Sequence, residues 1–240
     1  MSIAGYCVLA LAILFASALQ SSIGFGIGMF AAPIVALIEP ELLPGTLIMV
    51  ATLVTLIVVA REREAIDLRG TGWALVGRVP GTIAGALLLA ALPHRALSLL
   101  LAGVVLGGVV LTSSGWTPAP RRRNVVTAGA ASGLLGTATA IGGPPMALVW
   151  QGSSGAQLRG TMSGFFLIGS LMSLVVLGLT GAIHQRTWWG FAVLAPAAIA
   201  GYLLSNVLNK HLNPKRLRWL AIGVSAAGAI LLIGRELLAI

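Results

Sequence analysis

Long runs of apolar residues, separated by short polar connections, dominate the chain. Each run is comparable with the roughly 20 residues that an α-helix needs to cross the hydrocarbon core of a bilayer. The pattern predicts eight apolar segments, near residues 3–38, 44–60, 71–92, 96–113, 124–151, 158–182, 187–208 and 216–235. We therefore predict an all-α fold, a polytopic transmembrane helical bundle that forms one transmembrane domain.

Closely spaced glycines followed by proline interrupt the first and fifth segments. The two stretches are SSIGFGIGMFAAP at 21–33 and GLLGTATAIGGPP at 133–145. Glycine and proline weaken a helix, because glycine costs backbone entropy and proline lacks an N–H donor. We predict that both segments are broken or re-entrant. In a membrane such backbone is tolerated only where it is buried in protein or lines a cavity, and transporters bind substrates there.

The two halves of the chain share an ordered set of features. Gly45-Thr46 opens the second segment as Gly160-Thr161 opens the sixth, and PGTIAGALL at 80–88 corresponds to PAAIAGYLL at 196–204. A preserved order of matches is typical of an internal repeat. We predict two homologous four-segment transmembrane repeats, 1–115 and 120–240.

Composition supports the membrane interpretation. Hydrophobic residues make up 58% of the chain and charged residues only 9%, against roughly 25% charged in a soluble domain. The net charge of +9 comes from Arg and Lys in short loops, which the positive-inside rule explains without nucleic acid. The predicted partners are the lipid bilayer and a small anionic substrate, with a homo-oligomer left open, and the predicted location is the cell (inner or plasma) membrane.

The loop charges bear on topology. If segments one and five each cross once, the loop Arg and Lys residues divide about 8 to 6 between the two sides. If each instead enters and returns, they divide 11 to 3, which fits the positive-inside rule better. This hairpin interpretation makes the repeats inverted and places both termini outside. Residues 3–22 are long enough to cross alone, so the single crossing stays open.

The two glycine-rich stretches are the predicted binding site. A helix that restarts after a break exposes free N–H groups and the positive end of its dipole, which attract an anion. Pro33 and Pro144 fall near the restarts, and hydroxyl groups lie beside the glycines. The alternative is that the glycines only permit close helix packing. The predicted substrate-binding residues are Ser21, Ser22, Gly24, Gly26, Gly28, Pro33, Arg78, Gly136, Thr137, Thr139, Gly142, Gly143, Pro144 and Arg159.

Two arginines extend this set. Arg78 is the basic residue that lies well inside a segment, and an intramembrane ionisable residue indicates function, unless its side chain snorkels to the nearby basic loop. Arg159 lies at the start of the sixth segment. Its predicted role is a gate or a second anion contact, and the alternative is a positive-inside anchor. Gln20 and Gln151 flank the breaks.

Enzyme signatures are missing from the sequence. The three histidines are scattered, at 94, 184 and 211, rather than at metal-ligand spacing, and Cys7 is the single cysteine. No His-Glu motif or Gly-x-Ser-x-Gly elbow is present. We predict no enzyme activity, no catalytic residue, no cofactor and no metal.

The paired breaks, the Gly-Thr helix openings and the repeated Ala-Gly helix resemble the TauE/SafE family of sulfite exporter-like membrane proteins. The resemblance covers nearly the whole chain. It implies a permease of the bacterial inner membrane that moves small sulfur-containing anions such as sulfite, organosulfonates or sulfoacetate. We predict export of such an anion by alternating access around the two breaks. The first break spaces its glycines as Gly24, Gly26 and Gly28 where the family has consecutive ones, and the second has Thr137 and Thr139 where the family has glycine, so the particular substrate stays open. An importer of another small anion or solute, and a non-transporting membrane scaffold or assembly factor, are the alternatives.

Overall fold

The computed structural model describes residues 3–115, 118–150, 152–153, 155–211 and 214–238, with the side chains of 207–211, 214–218, 220 and 221 left aside. Within these ranges the secondary structure is helical, as the sequence predicts. Two short 3-10 turns, Pro40–Leu42 and Arg63–Ala65, lie on either side of the helix Gly45–Glu62. The described α-helices are α1 (Ile3–Ile23), α2 (Ile27–Ile38), α3 (Gly45–Glu62), α4 (Leu68–Ala91), α5 (His94–Ser113), α6 (Arg122–Thr139), α7 (Gly143–Trp150), α8 (Gly155–Leu179), α9 (Gln185–His211) and α10 (Pro214–Leu238).

Six of the helices in the described part of the chain are long and apolar enough to cross a membrane: α1, α3 with its 3-10 extension, α4, α5, α8 and α9. Large apolar side chains such as Leu87, Val175 and Leu203 lie exposed on the outside of the bundle. An apolar exterior of this kind suits lipid rather than water. The chain is a multi-pass helical membrane protein, as predicted.

One end of the bundle, which we call face 1, carries the connections α2–α3, α4–α5 and α8–α9. Arg186 at the start of α9 forms an ion pair with Glu41 after α2. Arg235 near the end of α10 donates to the backbone carbonyl of Leu37 in α2, at 3.0 Å. The ends of α2 and α10 and the start of α9 therefore lie together at face 1.

The other end, face 2, carries the connections α3–α4, α5–α6, α7–α8 and α9–α10. Arg159 in α8 forms an ion pair with Glu62 at the end of α3, with an N···O distance of 2.7 Å. The Arg122 guanidinium at the start of α6 lies 3.6 Å from the centre of the Trp73 ring in α4. Seven described arginines belong to face 2, namely Arg61, Arg63, Arg69, Arg121, Arg122, Arg123 and Arg159, against Arg95, Arg186 and Arg235 at face 1.

The chain reverses direction between α1 and α2. Gly201 of α9 packs on the Leu14 carbonyl, and Ser21 lines a cavity together with Ser205 further along α9, so α1 and α9 run in parallel towards face 2. Since α2 ends at face 1, it runs back.

A second reversal, of opposite sense, follows between α6 and α7. Helix α6 starts at face 2, and Trp150 at the end of α7 packs against Gly70, again at face 2. Thr139, the last residue of α6, lines a cavity at face 1.

Helices α4 and α6 pack backbone to backbone. Gly77, Gly81 and Gly85 recur every four residues on α4, and a Cβ at any of them would overlap a backbone carbonyl of α6. From the other side, Gly129 meets the Ala74 carbonyl and Gly133 the Arg78 carbonyl. Small residues at this spacing let membrane helices approach closely. The close approach brings the Arg78 side chain against α6.

Candidate anion-binding site

A small cavity of about 50 Å³ lies where the two reversals meet, and we call it the central cavity. Its wall includes Gly26 and Gly28 from the first reversal and Ile141, Gly142 and Gly143 from the second. Helices α3, α4 and α8 complete the wall. A buried water needs about 10–15 Å³ measured in this way. The central cavity therefore has room for a few waters or one small anion.

The first junction, Gly24-Phe25-Gly26, joins α1 to α2. Gly24 and Gly26 adopt φ angles of 87° and 136°, which side chains with a Cβ rarely adopt. The Ile27 N–H donates to the Gln20 Oε1 atom at 3.1 Å, and the Phe30 N–H donates to the Gly26 carbonyl at 2.9 Å. Gly28, which lies between these two donors in the first turn of α2, lines the central cavity.

The second junction, Ala140-Ile141-Gly142, joins α6 to α7. Ala140 is left-handed, with φ 63°, although it is not glycine. For a residue with a Cβ this conformation costs roughly 1–3 kcal/mol and persists only where the surroundings impose it. The Ala140 N–H donates to the Gly136 carbonyl at 3.0 Å, and the Gly142 carbonyl accepts from the Ser132 hydroxyl at 2.7 Å.

The two junctions touch each other. A Cβ at Gly28 would overlap the Ala140 carbonyl oxygen, and a Cβ at Gly143 would lie 3.0 Å from the Phe25 ring. Four helix termini, two amino-terminal and two carboxy-terminal, therefore meet around the central cavity.

Arg78 supplies the charge of this site. The residue is only 3% exposed and lines the central cavity, so it does not snorkel to the basic loop. Its Nη1 donates to the Ser132 hydroxyl at 3.1 Å, and the guanidinium carbon lies 4.8 Å from the centre of the Phe165 ring. Gly169 leaves the room for the guanidinium, because a Cβ there would overlap the Nε, Cζ and Cδ atoms.

No carboxylate in the described residues pairs with Arg78. The salt bridges in that part of the chain are Glu62–Arg159 and Glu41–Arg186, and the Nε atom of Arg78 is buried without a hydrogen-bond partner. A buried charge without a partner is costly unless a ligand compensates it. The Arg78 guanidinium therefore leaves an uncompensated positive charge in the wall of the central cavity.

Two larger cavities lie at the two faces. Vestibule 1, of about 670 Å³, opens at face 1 between Glu41, His94 and His184 and reaches Thr139 at the end of α6. Vestibule 2, of about 460 Å³, lies at face 2 among Arg61, Glu62 and Arg159 and reaches Ser21 near the end of α1. Each vestibule thus ends beside one of the two reversals.

Of the residues predicted to bind substrate, the structure gathers six in the wall of the central cavity. They come from α1–α2, α4 and α6–α7, and are Gly26, Gly28, Arg78, Gly136, Gly142 and Gly143. Gln20 joins them, whereas Gln151 lies outside the described residues.

The other predicted glycine and proline positions pack against neighbouring helices. Gly24 contacts Met162 and Arg159 of α8, and Pro144 in the first turn of α7 contacts Gly108 of α5. The prediction that Pro33 lies near the start of the second half-helix is wrong. Pro33 is the seventh residue of α2 and packs against Gly228 of α10.

The predicted hydroxyl residues are engaged within the protein. Ser21 and Ser22 each donate to a backbone carbonyl one turn earlier in α1, at 2.8 Å. Thr139 does the same in α6, at 2.7 Å, and the Thr137 hydroxyl pairs with the Ser173 hydroxyl at 2.8 Å. Arg159 lies at the wall of vestibule 2, held by Glu62.

Two residues that hold Arg78 in place are not among those predicted from the sequence. Ser132 lies one residue before the second glycine-rich stretch and Gly169 lies in another helix, α8. The available signal was the Gly133–Gly136 spacing beside Ser132, which marks one face of α6. No local signal relates Gly169 to Arg78, which is 91 residues earlier in the chain.

Apolar helices of membrane length, packed around a cavity with a buried arginine, define an integral membrane protein. A family model described as "Sulfite exporter TauE/SafE" matches residues 9–232, and the chain belongs to that family. The family is one of membrane transporters, and the resemblance noted from the sequence is confirmed. No curated protein and no solved structure matches the chain.

Proposed function

We propose that the protein is a permease that exports a small sulfur-containing oxyanion, such as sulfite or an organosulfonate, across the cell (inner or plasma) membrane. The observation that carries the proposal is the buried Arg78 guanidinium, which faces the central cavity and has no acidic partner in the described residues. Membership of the sulfite exporter TauE/SafE family supports sulfite as the first substrate to test.

Alternating access around the two junctions is the proposed mechanism. We interpret α1–α2 and α6–α7 as re-entrant hairpins of two inverted repeats, 1–115 and 120–240. Their opposite reversals support this, as do the vestibules that approach the central cavity from opposite faces. Inverted repeats around a central site are a common transporter architecture, in which one repeat moves against the other.

Orientation and direction follow from charge. Face 2 carries most of the described arginines, so by the positive-inside rule we assign it to the cytoplasm, which places both termini outside. Export of a monovalent anion from a cell with a negative interior is favourable by about 2.3 kcal/mol per 100 mV of membrane potential. The described lining of the central cavity contains no carboxylate. Export therefore needs no separate coupling ion.

The test is efflux of radiolabelled sulfite from proteoliposomes that contain the purified full chain. The variant Arg78→Gln removes the charge, and Arg95→Gln, which changes an exposed arginine at the start of α5, is the matched control. We expect at least a tenfold loss of efflux in R78Q and none in R95Q, with both proteins inserted and monodisperse. Wild-type efflux in R78Q would contradict the proposal. Flux that occurs only inward would assign an importer, and absence of any anion flux would favour a membrane scaffold.

A further inference from the structure

Among the described residues, Arg78 alone gives the central cavity a charge. The chain has six acidic residues, all within the described part. Glu41 and Glu62 pair with arginines at the two faces, and Asp67 accepts from the Gly70 N–H at the start of α4. Glu39, Glu64 and Glu236 lie at the ends of helices and do not line the central cavity. The lining residues from α1, α2, α3, α6, α7 and α8 are all neutral.

The helix dipoles do not change the net charge of the central cavity. An α-helix carries about half a positive charge at its N-terminus and half a negative charge at its C-terminus. At the central cavity the ends of α1 and α6 meet the starts of α2 and α7, so these partial charges offset in pairs. The first turn of α7 also contains Pro144 and Pro145, which have no N–H to donate. The site therefore presents one net positive charge.

The surroundings make a second negative charge on the ligand unfavourable. Phe25, Met29, Ile48 and Phe166 contribute apolar walls to a cavity of about 50 Å³. One anionic charge neutralises the guanidinium and satisfies its free Nε donor. A further charge would be buried in a low dielectric beside the Ala140 carbonyl, without a partner, and such burial is costly.

We propose that the central cavity selects monovalent oxyanions, so that sulfite crosses as hydrogen sulfite, small sulfonates R–SO3⁻ are substrates, and sulfate and other divalent anions are rejected. This inference rests on the proposed anion transport and narrows its substrate class by charge. The apolar wall admits a small alkyl group, whereas the volume excludes a large one. Each transport event then moves one negative charge.

The experiment compares three anions in proteoliposomes that contain the full chain, over a range of pH. Methanesulfonate is monovalent and sulfate divalent throughout the range, whereas sulfite changes from the monovalent to the divalent form as the pH rises. The monovalent fraction of sulfite falls about tenfold for each pH unit above the second pKa of the acid. We expect sulfite transport to fall by the same factor at subsaturating total sulfite, methanesulfonate transport to stay level, and sulfate transport to be at least tenfold slower.

The outcomes separate the two proposals. Sulfate transport as fast as methanesulfonate transport, or sulfite transport that stays level with pH, would overturn the charge selection while leaving anion transport in place. Transport of none of the three anions would overturn the proposed function and this inference with it. The level methanesulfonate profile also controls for titration of the protein itself.

A variant of Gln20 tests the same point without removing Arg78. Gln20→Glu keeps the shape and the acceptor for the Ile27 N–H but places a negative charge in the central cavity. If the site compensates one negative charge only, the new carboxylate takes the place of the substrate's charge beside Arg78. We then expect Q20E to lose at least tenfold in methanesulfonate transport and to melt no lower than wild type. Gln157→Glu, at an exposed position near the start of α8 that lines neither the central cavity nor a vestibule, is the matched control and should transport normally. Normal methanesulfonate transport by Q20E would overturn the proposal.

Discussion

The backbone of Gly28 lies directly against the carbonyl group of Ala140, so that the first turn of α2 touches the strained end of α6. This contact joins two parts of the chain that are 112 residues apart. It packs the two junctions against each other with no side chain between them.

Replacing Gly28 with alanine tests this contact. The new Cβ would overlap the Ala140 carbonyl, and because both partners are backbone we expect destabilisation of about 1–3 kcal/mol. Gly103→Ala on the exposed side of α5 is the control, since nothing lies within 4 Å of a Cβ there. Melting temperature and sulfite efflux should both fall in G28A only. Unchanged values in G28A would mean that the junctions separate freely.

Ser132 connects Arg78 to the second junction. Its hydroxyl accepts from the Arg78 Nη1 and donates to the Gly142 carbonyl. Ser132→Ala leaves both groups unsatisfied, at a cost of about 1–3 kcal/mol for a buried group. We expect a lower melting temperature and a several-fold rise in the KM for sulfite.

Ser163→Ala is the matched control for that variant. Ser163 is also buried, in α8, but its hydroxyl has no hydrogen-bond partner in the described residues. Its removal should leave both the melting temperature and the KM near the wild-type values. Equal behaviour of S132A and S163A would show that the Ser132 bonds do not hold Arg78.

Gly169→Ala should separate binding from stability. The added methyl group would overlap the guanidinium of Arg78, which is the flexible end of a long side chain and moves more easily than backbone. We therefore expect a raised KM for sulfite, at least tenfold, with a small change in melting temperature. Gly178→Ala on the same helix, with nothing within 4 Å, should match wild type in both measurements. A normal KM in G169A would place the ligand away from Arg78.

Single cysteines in a Cys7→Ser background test the two opposite vestibules. Ser21 lies in the wall of vestibule 2 and Thr139 in the wall of vestibule 1. An impermeant thiol reagent should reach Ser21→Cys from the cytoplasmic side and Thr139→Cys from the outer side. Ser173→Cys, at a fully buried position, should stay unlabelled. Labelling of both vestibule positions from the same side would contradict the inverted hairpins.

Much of the architecture was predictable because it depends on local chemistry. Apolar runs of membrane length specify helices wherever no water is available to satisfy the backbone. The glycine-rich stretches coincide with helix ends at Ile23 and Thr139. Glycine accounts for the first end, because it tolerates the positive φ angles of Gly24 and Gly26, whereas the left-handed residue after the second end is Ala140. Pro33 misled the prediction, because proline also occurs inside a membrane helix where neighbouring helices pack around it.

The sequence by itself determined the class of the protein, its helices, its family and the presence of one arginine deep in a membrane segment. Only the tertiary structure decided where that arginine's side chain lies and what surrounds it. Ser132 from α6 and Gly169 from α8 hold the Arg78 guanidinium in the central cavity, and no acidic side chain in the described residues comes near enough to pair with it. Hydropathy records the distribution of charge along the chain. Whether a charge is compensated depends on the groups around it in space, and helix packing determines which groups those are.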